Sequence, residues 1–346
     1  MKRNKISTEK SGATTRHASR VTFQMISFII PNRNGELLLK ENLPFLLSEL
    51  KHIESKEIIV TDDFSTDSSI SMLRETFPDV KILTSDRILG FSENCNRGVY
   101  EAKYDNVMCL NTDVRVSPGF LNPLLKALED DTVFAVSPKI LKSRDNKHYI
   151  NESLHKSFYS FGLFYHSGIR QDMIIENPPV CAIPFACGAA IAFKKNKFVE
   201  LHGFDDLYTP FYWEDFDLCY RAWKRGWKVL YEPNSCVYHL HRGTISRIYS
   251  ERDIDIIHER NRFLFLWKNI LDPFLMAEHI LFIPAKIIEA FFQGKFFFLT
   301  SFLKACEKFP EAWKRRMKEK EEQKISDREI LGMYRDMTEN FVYHKK

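Results

Sequence analysis

The sequence lacks the patterns that mark several common classes of protein. Its seven cysteines are an odd number without a Cys-x-x-Cys pair, so neither a disulfide framework nor a zinc site is predicted. No two of its 13 glycines stand in Gly-x-Gly spacing, and there is no Gly-x-x-x-x-Gly-Lys-Ser/Thr loop. A dinucleotide-binding dehydrogenase and a P-loop enzyme are therefore disfavoured.

A strong excess of charge of one sign is also missing. The 346 residues include 50 Lys and Arg against 46 Asp and Glu, a net charge of +4, and most of the basic excess lies in residues 1–24. A nearly neutral remainder gives no reason to expect a nucleic-acid partner. Residues 1–24 are polar up to Val21 and lack the apolar core of a secretion signal. We therefore predict a disordered basic leader at 1–24 and a cytoplasmic protein.

What the sequence does contain is an alternation of short apolar runs and helical patterns. With 44% hydrophobic residues the chain has the composition of a folded protein. Apolar runs at 26–30, 57–60, 80–83 and 107–110 predict strands, and helices are expected at 36–50, with an interruption near Pro44, and at 68–77 and 94–102. Strands that alternate with helices predict βαβ units and a parallel sheet covered on both faces.

Polar residues cluster where these strands end. Asn32 and Arg33 follow the first strand, Asp62 follows the second, and Asn111 and Asp113 follow the fourth. Ligands of open α/β sheets bind at the carboxyl ends of the strands, so these residues are candidates for a binding site. The alternative is that they only form turns, which Asn and Asp favour.

Six segments, taken in order, resemble the signatures of family-2 glycosyltransferases, which have the GT-A fold. They run from residue 26 to about residue 270, and the closest resemblance is to the rhamnosyltransferase-like branch of bacterial surface polysaccharide synthesis. The segments are 27–35 with Pro31-Asn32-Arg33-Asn34-Gly35, 59–69 with Thr61-Asp62-Asp63, 90–98 with Asn94-Cys95-Asn96, 110–114 with Asn111-Thr112-Asp113, Gly203-Phe204-Asp205 leading to 213–221 with Trp213-Glu214-Asp215, and Val237-Tyr238-His239. The resemblance also includes 261–269, which begins Asn261-Arg262-Phe263.

The resemblance implies a donor site for a nucleotide-diphosphate sugar with a divalent metal, Mg²⁺ or Mn²⁺. Asp113 supplies a hard oxygen ligand, and His239 completes the metal shell unless it is only a core or surface histidine. Asn111 stands where the family pattern often has a second carboxylate, which predicts weaker metal binding. The donor nucleotide is expected to contact six residues, although Asp62 could instead cap a turn: Pro31, Asn32, Arg33, Asp62, Asn96 and Asn111.

Glu214 and Asp215 are the candidates for acid–base chemistry. A carboxylate within hydrogen-bond reach can deprotonate an acceptor hydroxyl, and the resemblance favours Asp215 as that base, with Glu214 orienting the acceptor or a metal-bound water. One base without a carboxylate nucleophile implies inversion at the anomeric carbon. Gly188 and Trp213 are assigned to the acceptor site. Asp217 and Arg221, four residues apart, are interpreted as a structural ion pair.

Two segments are less clear. Aromatic residues within 142–180 could stack on a carbohydrate or lipid acceptor, or could form the small core of an insertion.

The chain divides into a catalytic domain at 25–270 and a helical appendage at 271–346. In that appendage the polar residues between Ala285 and Phe309 leave a broad apolar face. We expect this face to lie in the membrane interface, with packing on the catalytic domain or on a second subunit of a homodimer as the alternative. Residues 311–330 are expected to form a solvated helix.

The sequence thus predicts an inverting glycosyltransferase that acts on a glycan or lipid-linked glycan, peripheral on the cytoplasmic face of the inner membrane. A sugar-phosphate nucleotidyltransferase and a non-catalytic, membrane-attached sugar-binding scaffold are the alternatives.

Overall fold

The fold was examined in a computed structural model, which describes residues 25–143, 149–169, 173–175, 178–240, 245–339 and 342. The predicted leader at 1–24 lies outside the described residues. The strands are β1 (Met25–Asn32), β2 (Ser55–Asp62), β3 (Lys81–Thr84), β4 (Asn106–Leu110), β5 (Val114–Val116), β6 (Val133–Ser143), β7 (Tyr149–Asn151), β8 (His155–Ser160), β9 (Leu163–Gly168), β10 (Cys181–Ala182), β11 (Ala190–Lys194) and β12 (Lys228–His239).

Helices connect and cover these strands. They are α1 (Glu36–Glu49), α2 (Ser69–Thr76), α3 (Phe91–Glu101), α4 (Leu121–Ala127), α5 (Lys195–Glu200), α6 (Glu214–Lys224), α7 (Ile245–Ile248), α8 (Glu251–Asn269), α9 (Pro273–Phe292), α10 (Phe296–Glu307), α11 (Phe309–Glu322) and α12 (Asp327–Glu339), with a 3₁₀ turn at Asp206–Tyr208.

Ten of the described strands form one mixed sheet, with its path in the order β10-β12-β6-β11-β4-β1-β2-β3. The four predicted strands, β1 to β4, are parallel neighbours, which confirms the βαβ prediction. β11 runs antiparallel between β4 and β6, and β5 pairs antiparallel with the end of β12. This last pairing aligns His239 with Val114, one residue after Asp113.

Both faces of the sheet are buried, because alternate residues of each strand point to opposite sides. Ile29, Ile59 and Cys109 pack into one hydrophobic cluster with α3, α6 and α8. Phe28 and Met108 pack into the other, against α1, α2 and α4.

The first helix differs from the prediction. The expected interruption near Pro44 is wrong, since α1 continues through that residue to Glu49. The apolar face of α1 is buried against the sheet through Leu39, Leu43 and Leu46. Burial of three leucines offsets the hydrogen bond that a proline inside a helix removes.

The helices after residue 270 pack on the preceding part of the chain. Phe298, Ala305, Ile330 and Tyr334 belong to the same hydrophobic cluster as α6. Most residues of 311–330 lie exposed or half-buried in α11 and α12, in line with the expected solvated helix, but Glu319 of α11 is buried in an ion pair with Arg225 at 3.0 Å.

The apolar segment 285–309 is two helices rather than one. α9 ends at Phe292, and α10 starts at Phe296 after Gly294, whose φ of +70° is in the left-handed region. Within the described part of the chain, none of the helices combines the length and apolar character required to span a bilayer.

Within the aromatic stretch 142–180, β8 (His155–Ser160) and β9 (Leu163–Gly168) form a hairpin. Leu163 and Phe164 are buried in the main hydrophobic cluster, and the hydroxyl of Tyr159 donates a hydrogen bond to the carbonyl of Leu275 on α9 at 2.5 Å. At its tip Phe161 is exposed and meets Phe282 edge-on. The hairpin therefore belongs to the main core instead of having a core of its own.

Candidate active site

The ends of β1 and β2 bring Asn32 and Asp62 side by side. They are register partners, and the Asn32 amide donates a hydrogen bond to Asp62 Oδ2 at 2.7 Å. Asp62 also accepts from the backbone N–H of Ser65 at 2.9 Å and from its hydroxyl at 2.6 Å. Asp62 therefore caps the turn after β2, as the alternative interpretation held. Asn32 Oδ1 is buried without a hydrogen-bond partner within the described chain.

The other expected nucleotide contacts divide into two groups. Pro31 and Arg33 flank Asn32 and are half-buried, and Asn111 lies half-buried directly after β4. Asn96 lies on α3, where its amide donates to the carbonyl of Phe204 at 2.7 Å and accepts from the N–H of Phe204 at 2.9 Å. Asn96 therefore holds the Gly203-Phe204 loop and does not lie among the strand ends.

Asp113 and His239 meet beside the β5–β12 pairing. His239 Nε2 lies 3.4 Å from Asp113 Oδ1, and Nδ1 of the same ring lies 3.1 Å from Glu152 Oε2. Burial lowers the pKa of His239, but the hydrogen bonds to Asp113 and Glu152 outweigh it and raise the pKa to about 9. Surroundings that stabilise a positive imidazolium also favour a bound cation.

The donor atoms of this pair fit a divalent ion. A carboxylate oxygen and an imidazole nitrogen are suitable ligands for Mn²⁺, and atoms 3.4 Å apart can occupy neighbouring positions around one ion. Among the described residues, no group of three or more His, Cys, Asp or Glu side chains is arranged to hold a metal. Further ligand atoms would have to come from another molecule, for example a diphosphate.

Asp215 is connected to the end of β4 through hydrogen bonds to the short segment Gly188-Ala189. Its Oδ2 accepts a hydrogen bond from the N–H of Gly188 at 2.8 Å, and its Oδ1 accepts from the N–H of Phe216 at 2.7 Å. Burial raises the pKa of the Asp215 carboxyl, and these two hydrogen bonds oppose part of the effect. A Cβ on Gly188 would stand 3.4 Å from Asp215 Oδ2, so the absence of a side chain leaves room beside the carboxylate.

Glu214 is buried next to Asp215. Burial, together with repulsion from Asp215 and Asp217, raises the pKa of Glu214 well above its usual range. Its Oε2 makes no hydrogen bond to any described residue. A buried carboxyl in these surroundings holds its proton more strongly than one in water, and hydrogen bonds that favour the charged form oppose this effect at Asp215.

Trp213 precedes this pair in a left-handed backbone conformation, as does Tyr212, with φ values of +78° and +70°. The Trp213 ring is buried against His166 at a centroid distance of 4.7 Å and His258 at 5.6 Å. Its indole Nε1 is buried without a hydrogen-bond partner in the described chain. Two consecutive strained residues next to a candidate catalytic pair are typical of a functional site.

Sequence reasoning did not predict how this strained turn is held. The Asn261 amide on α8 donates to the carbonyls of Tyr208, Phe211 and Tyr212 at 2.8 to 2.9 Å, and the Arg260 guanidinium donates to that of Thr209 at 2.6 Å. Asn261 opens a segment already included in the family resemblance, but nothing in its sequence context indicates these partners.

The predicted ion pair of Asp217 and Arg221 is confirmed, with a distance of 2.7 Å between Oδ2 and Nε, and both side chains are buried. Lys268 of α8 joins it, 2.7 Å from Asp217 and 2.7 Å from Asp205. The positive charges of Arg221 and Lys268 overcome the effect of burial and hold the pKa of Asp217 well below its usual range. This network fixes α6 against α8.

Residues 27–201 match the model of Glycosyl transferase family 2, and the chain belongs to that family. It is 28% identical over 223 residues to a pre-mycofactocin glycosyltransferase of Mycobacterium tuberculosis, a match covering 63% of this chain and 43% of the relative. It is 23% identical to the N-acetylglucosaminyl-diphospho-decaprenol L-rhamnosyltransferase of the same species, over 53% of this chain and 66% of that protein. The chain thus spans less than half of the first relative's length.

Two solved structures show the same GT-A-like fold. GalNAc-T7 with UDP, GalNAc and Mn²⁺ superposes with a TM-score of 0.60 at 18% identity, over 73% of this chain and 49% of that one. Residues 1–349 of S. aureus TarS with UDP-GlcNAc superpose with a TM-score of 0.55 at 15% identity, over 90% of this chain and 92% of that one. The predicted family and fold class are confirmed.

Proposed function

We propose that the protein is an inverting glycosyltransferase that moves a sugar from a nucleotide-diphosphate donor to a hydroxyl of a glycan or lipid-linked glycan. One observation carries the proposal: a single short backbone segment links the candidate base to the donor edge of the sheet. The N–H of Gly188 donates to Asp215, and the carbonyl of Ala189 accepts from the N–H of Asn111 at 2.9 Å. The base therefore lies close to the strand end that carries Asp113.

The donor would bind along the carboxyl edge of β1, β2 and β4. Asn32 and Arg33 lie at this edge, and Asn32 Oδ1, which has no hydrogen-bond partner in the described part of the chain, would accept a hydrogen bond from a hydroxyl or amino group of the nucleotide. Pro31, Asp62 and Asn111 would shape the same edge, and Asn96 would act indirectly through the Phe204 loop. UDP, UDP-GlcNAc and GDP-Man are the nucleotides in related structures, and they guide the choice of ligands to test.

Asp113 and His239 would hold Mg²⁺ or Mn²⁺ at this edge. The cation would neutralise the charge that develops on the departing diphosphate. Mn²⁺ accompanies the nucleotide in the GalNAc-T7 structure and in that of a mannosyltransferase from Pyrobaculum calidifontis.

Asp215 would act as the general base. As the acceptor oxygen forms a bond to the anomeric carbon and the bond to the diphosphate breaks, the hydroxyl proton passes to the Asp215 carboxylate. A pKa raised by burial makes this carboxylate a stronger base. The raised pKa of the buried Glu214 carboxyl favours its neutral form, which is a poor nucleophile, and this supports single displacement with inversion. Glu214 Oε2 and Trp213 Nε1, which have no hydrogen-bond partner among the described residues, would bind acceptor hydroxyls.

The first test is thermal unfolding with UDP, GDP and dTDP and their sugar conjugates, each with Mn²⁺ and with EDTA. Binding to the native state raises the unfolding midpoint, so a metal-dependent rise with one nucleotide class is expected. If none of these ligands raises the midpoint, the scaffold without catalysis becomes the better explanation. A sugar-phosphate nucleotidyltransferase is disfavoured by the family match.

The turn between α9 and α10 supports a second, separate part of the proposal, attachment to the cytoplasmic face of a membrane. Phe291, Phe292 and Phe296 are exposed around it, with Phe292 82% exposed, and Lys295 lies between them. Aromatic rings beside a lysine suit an interface with anionic headgroups. We expect the wild type to float with vesicles containing phosphatidylglycerol and a Phe291→Ser, Phe292→Ser variant to stay behind. If that variant instead converts a dimer to a monomer in light scattering, the surface joins two subunits.

A further inference from the structure

We infer that Glu152 is a positioning residue that holds His239 in the orientation needed to bind the cation together with Asp113. This inference rests on the proposed metal site, and it adds a residue from the turn after β7 to the pair of Asp113, which directly precedes β5, and His239, the last residue of β12. The resemblance to known glycosyltransferases gave Glu152 no role.

The geometry is a chain of three side chains. Glu152 Oε2 lies 3.1 Å from His239 Nδ1, and His239 Nε2 lies 3.4 Å from Asp113 Oδ1. The two ring nitrogens face opposite ways, so a contact that fixes one of them also aims the other. A carboxylate that accepts a hydrogen bond from the protonated Nδ1 of a neutral imidazole leaves the lone pair on Nε2, directed toward Asp113.

Glu152 is itself held rigidly. Its N–H donates to the carbonyl of Ile140 on β6 at 2.8 Å. The buried hydroxyl of Ser153 donates to the carbonyl of Pro138 at 2.6 Å and accepts from the N–H of Ile140 at 2.9 Å. The Asn151 amide donates to the Tyr231 hydroxyl at 3.0 Å. A carboxylate on a turn fixed to two strands of the sheet keeps its place with little loss of entropy when a ligand binds.

A competing interpretation is that Glu152 only stabilises the fold through Lys142. The Lys142 ammonium lies 3.7 Å from Glu152 Oε1, and its side chain is 41% exposed. An exposed pair at that distance contributes little. The contact with His239 is shorter and less exposed, and it uses the other oxygen of the carboxylate. The two roles predict different effects on metal binding, which can be measured directly.

The test measures Mn²⁺ affinity from the electron paramagnetic resonance signal of free Mn²⁺, with the ion alone and with UDP or GDP added. Loss of a carboxylate that orients a metal-bound histidine weakens binding by about 10 to 100-fold, and we expect a loss of this size for Glu152→Gln. Lys142→Met is the matched control, because it removes a different partner of Glu152, and it should bind Mn²⁺ like the wild type. Unfolding midpoints in EDTA show whether each variant is folded.

The possible outcomes distinguish a failure of the inferred role of Glu152 from a failure of the proposed metal site. If the wild type binds Mn²⁺, Asp113→Ala does not, and Glu152→Gln equals the wild type, the role of Glu152 is refuted and the metal site stands. Equal losses in Glu152→Gln and Lys142→Met would refute the role as well, because they would indicate a general structural effect. If the wild type binds no Mn²⁺ under any of these conditions, the metal site and the inference both fail.

Discussion

Replacing Glu214 with Gln should stabilise the protein at neutral pH, and more so as the pH rises. Glu214 is 6% exposed, its Oε2 has no hydrogen-bond partner in the described chain, and Asp215 and Asp217 repel its charge. The native state therefore keeps Glu214 protonated at a pH where the unfolded chain ionises it. Glutamine has the same shape and never ionises, so it removes this penalty.

The sign and size of the effect of Glu214→Gln on the free energy of unfolding follow from proton linkage. Above the usual glutamate pKa of about 4.3 the unfolded state binds fewer protons at this position than the native state, so ionisation favours unfolding. The free energy of unfolding of the wild type, relative to that of Glu214→Gln, should fall by at most about 1.4 kcal/mol per pH unit. The difference in the free energy of unfolding between the two proteins is near zero around pH 4. It stops growing once the pH exceeds the raised pKa of Glu214 in the native state.

The assay is urea unfolding of both proteins at a series of pH values from 5 to 8. Glu129→Gln, the same change at an exposed position, controls for the loss of one negative charge and should show no comparable trend. The reasoning would be refuted if Glu214→Gln were destabilising at pH 8, or if its effect were the same at every pH.

Other substitutions test the site and the packing. Asp215→Asn should slow sugar transfer by about 10² to 10⁴-fold in a product assay with donor affinity unchanged, and an unchanged rate would remove Asp215 as the base. Lys268→Met removes a buried ammonium that Asp205 and Asp217 share, while Arg315 and Arg221 remain as their partners, and should lower the free energy of unfolding by about 1–3 kcal/mol, measured in urea. A neutral effect would contradict a structural role for the network. Gly98→Ala would place a Cβ 2.5 Å from Ile29 Cγ2 and should lower the free energy of unfolding by about 1–3 kcal/mol. Gly332→Ala on α12 would place its Cβ in open space and should raise the free energy of unfolding by about 1 kcal/mol. If thermal unfolding showed the reverse order, the packing of α3 on β1 would be contradicted.

Much of the fold could be predicted because its signals are local. The predicted strand at 107–110 is β4 (Asn106–Leu110), and the predicted strand at 80–83 is β3 (Lys81–Thr84), displaced by one residue. Pro44 misled the prediction of α1, since the leucines that hold that helix together find their partners only on the sheet. The break at Gly294 was also missed, because apolar side chains continue at helical spacing across it.

In the candidate site, too, residues within short motifs could be recognised from the sequence, whereas residues that act through distant partners could not. Asp113, His239 and Asp215 were identified as candidates from short motifs, and the structure brings Asp113 and His239 together across 126 positions of the chain. Glu152, Asn261 and Lys268 were not singled out. Each acts through a partner far away in the chain, and a glutamate, an asparagine or a lysine in such a context has no distinctive spacing.

By itself the sequence determined the class of fold, the family and the residue types available for catalysis, because periodicity, turn residues and short motifs depend on neighbours along the chain. Only the tertiary structure decided which of these residues share a site and which carboxyls carry charge. Glu214 and Asp215 are adjacent in sequence, yet Glu214 has a buried oxygen with no hydrogen-bond partner among the described residues, and Asp215 accepts hydrogen bonds from Gly188 and Phe216. The pKa of a carboxyl follows from burial and from the groups that surround it in space, and these are set when distant segments pack together.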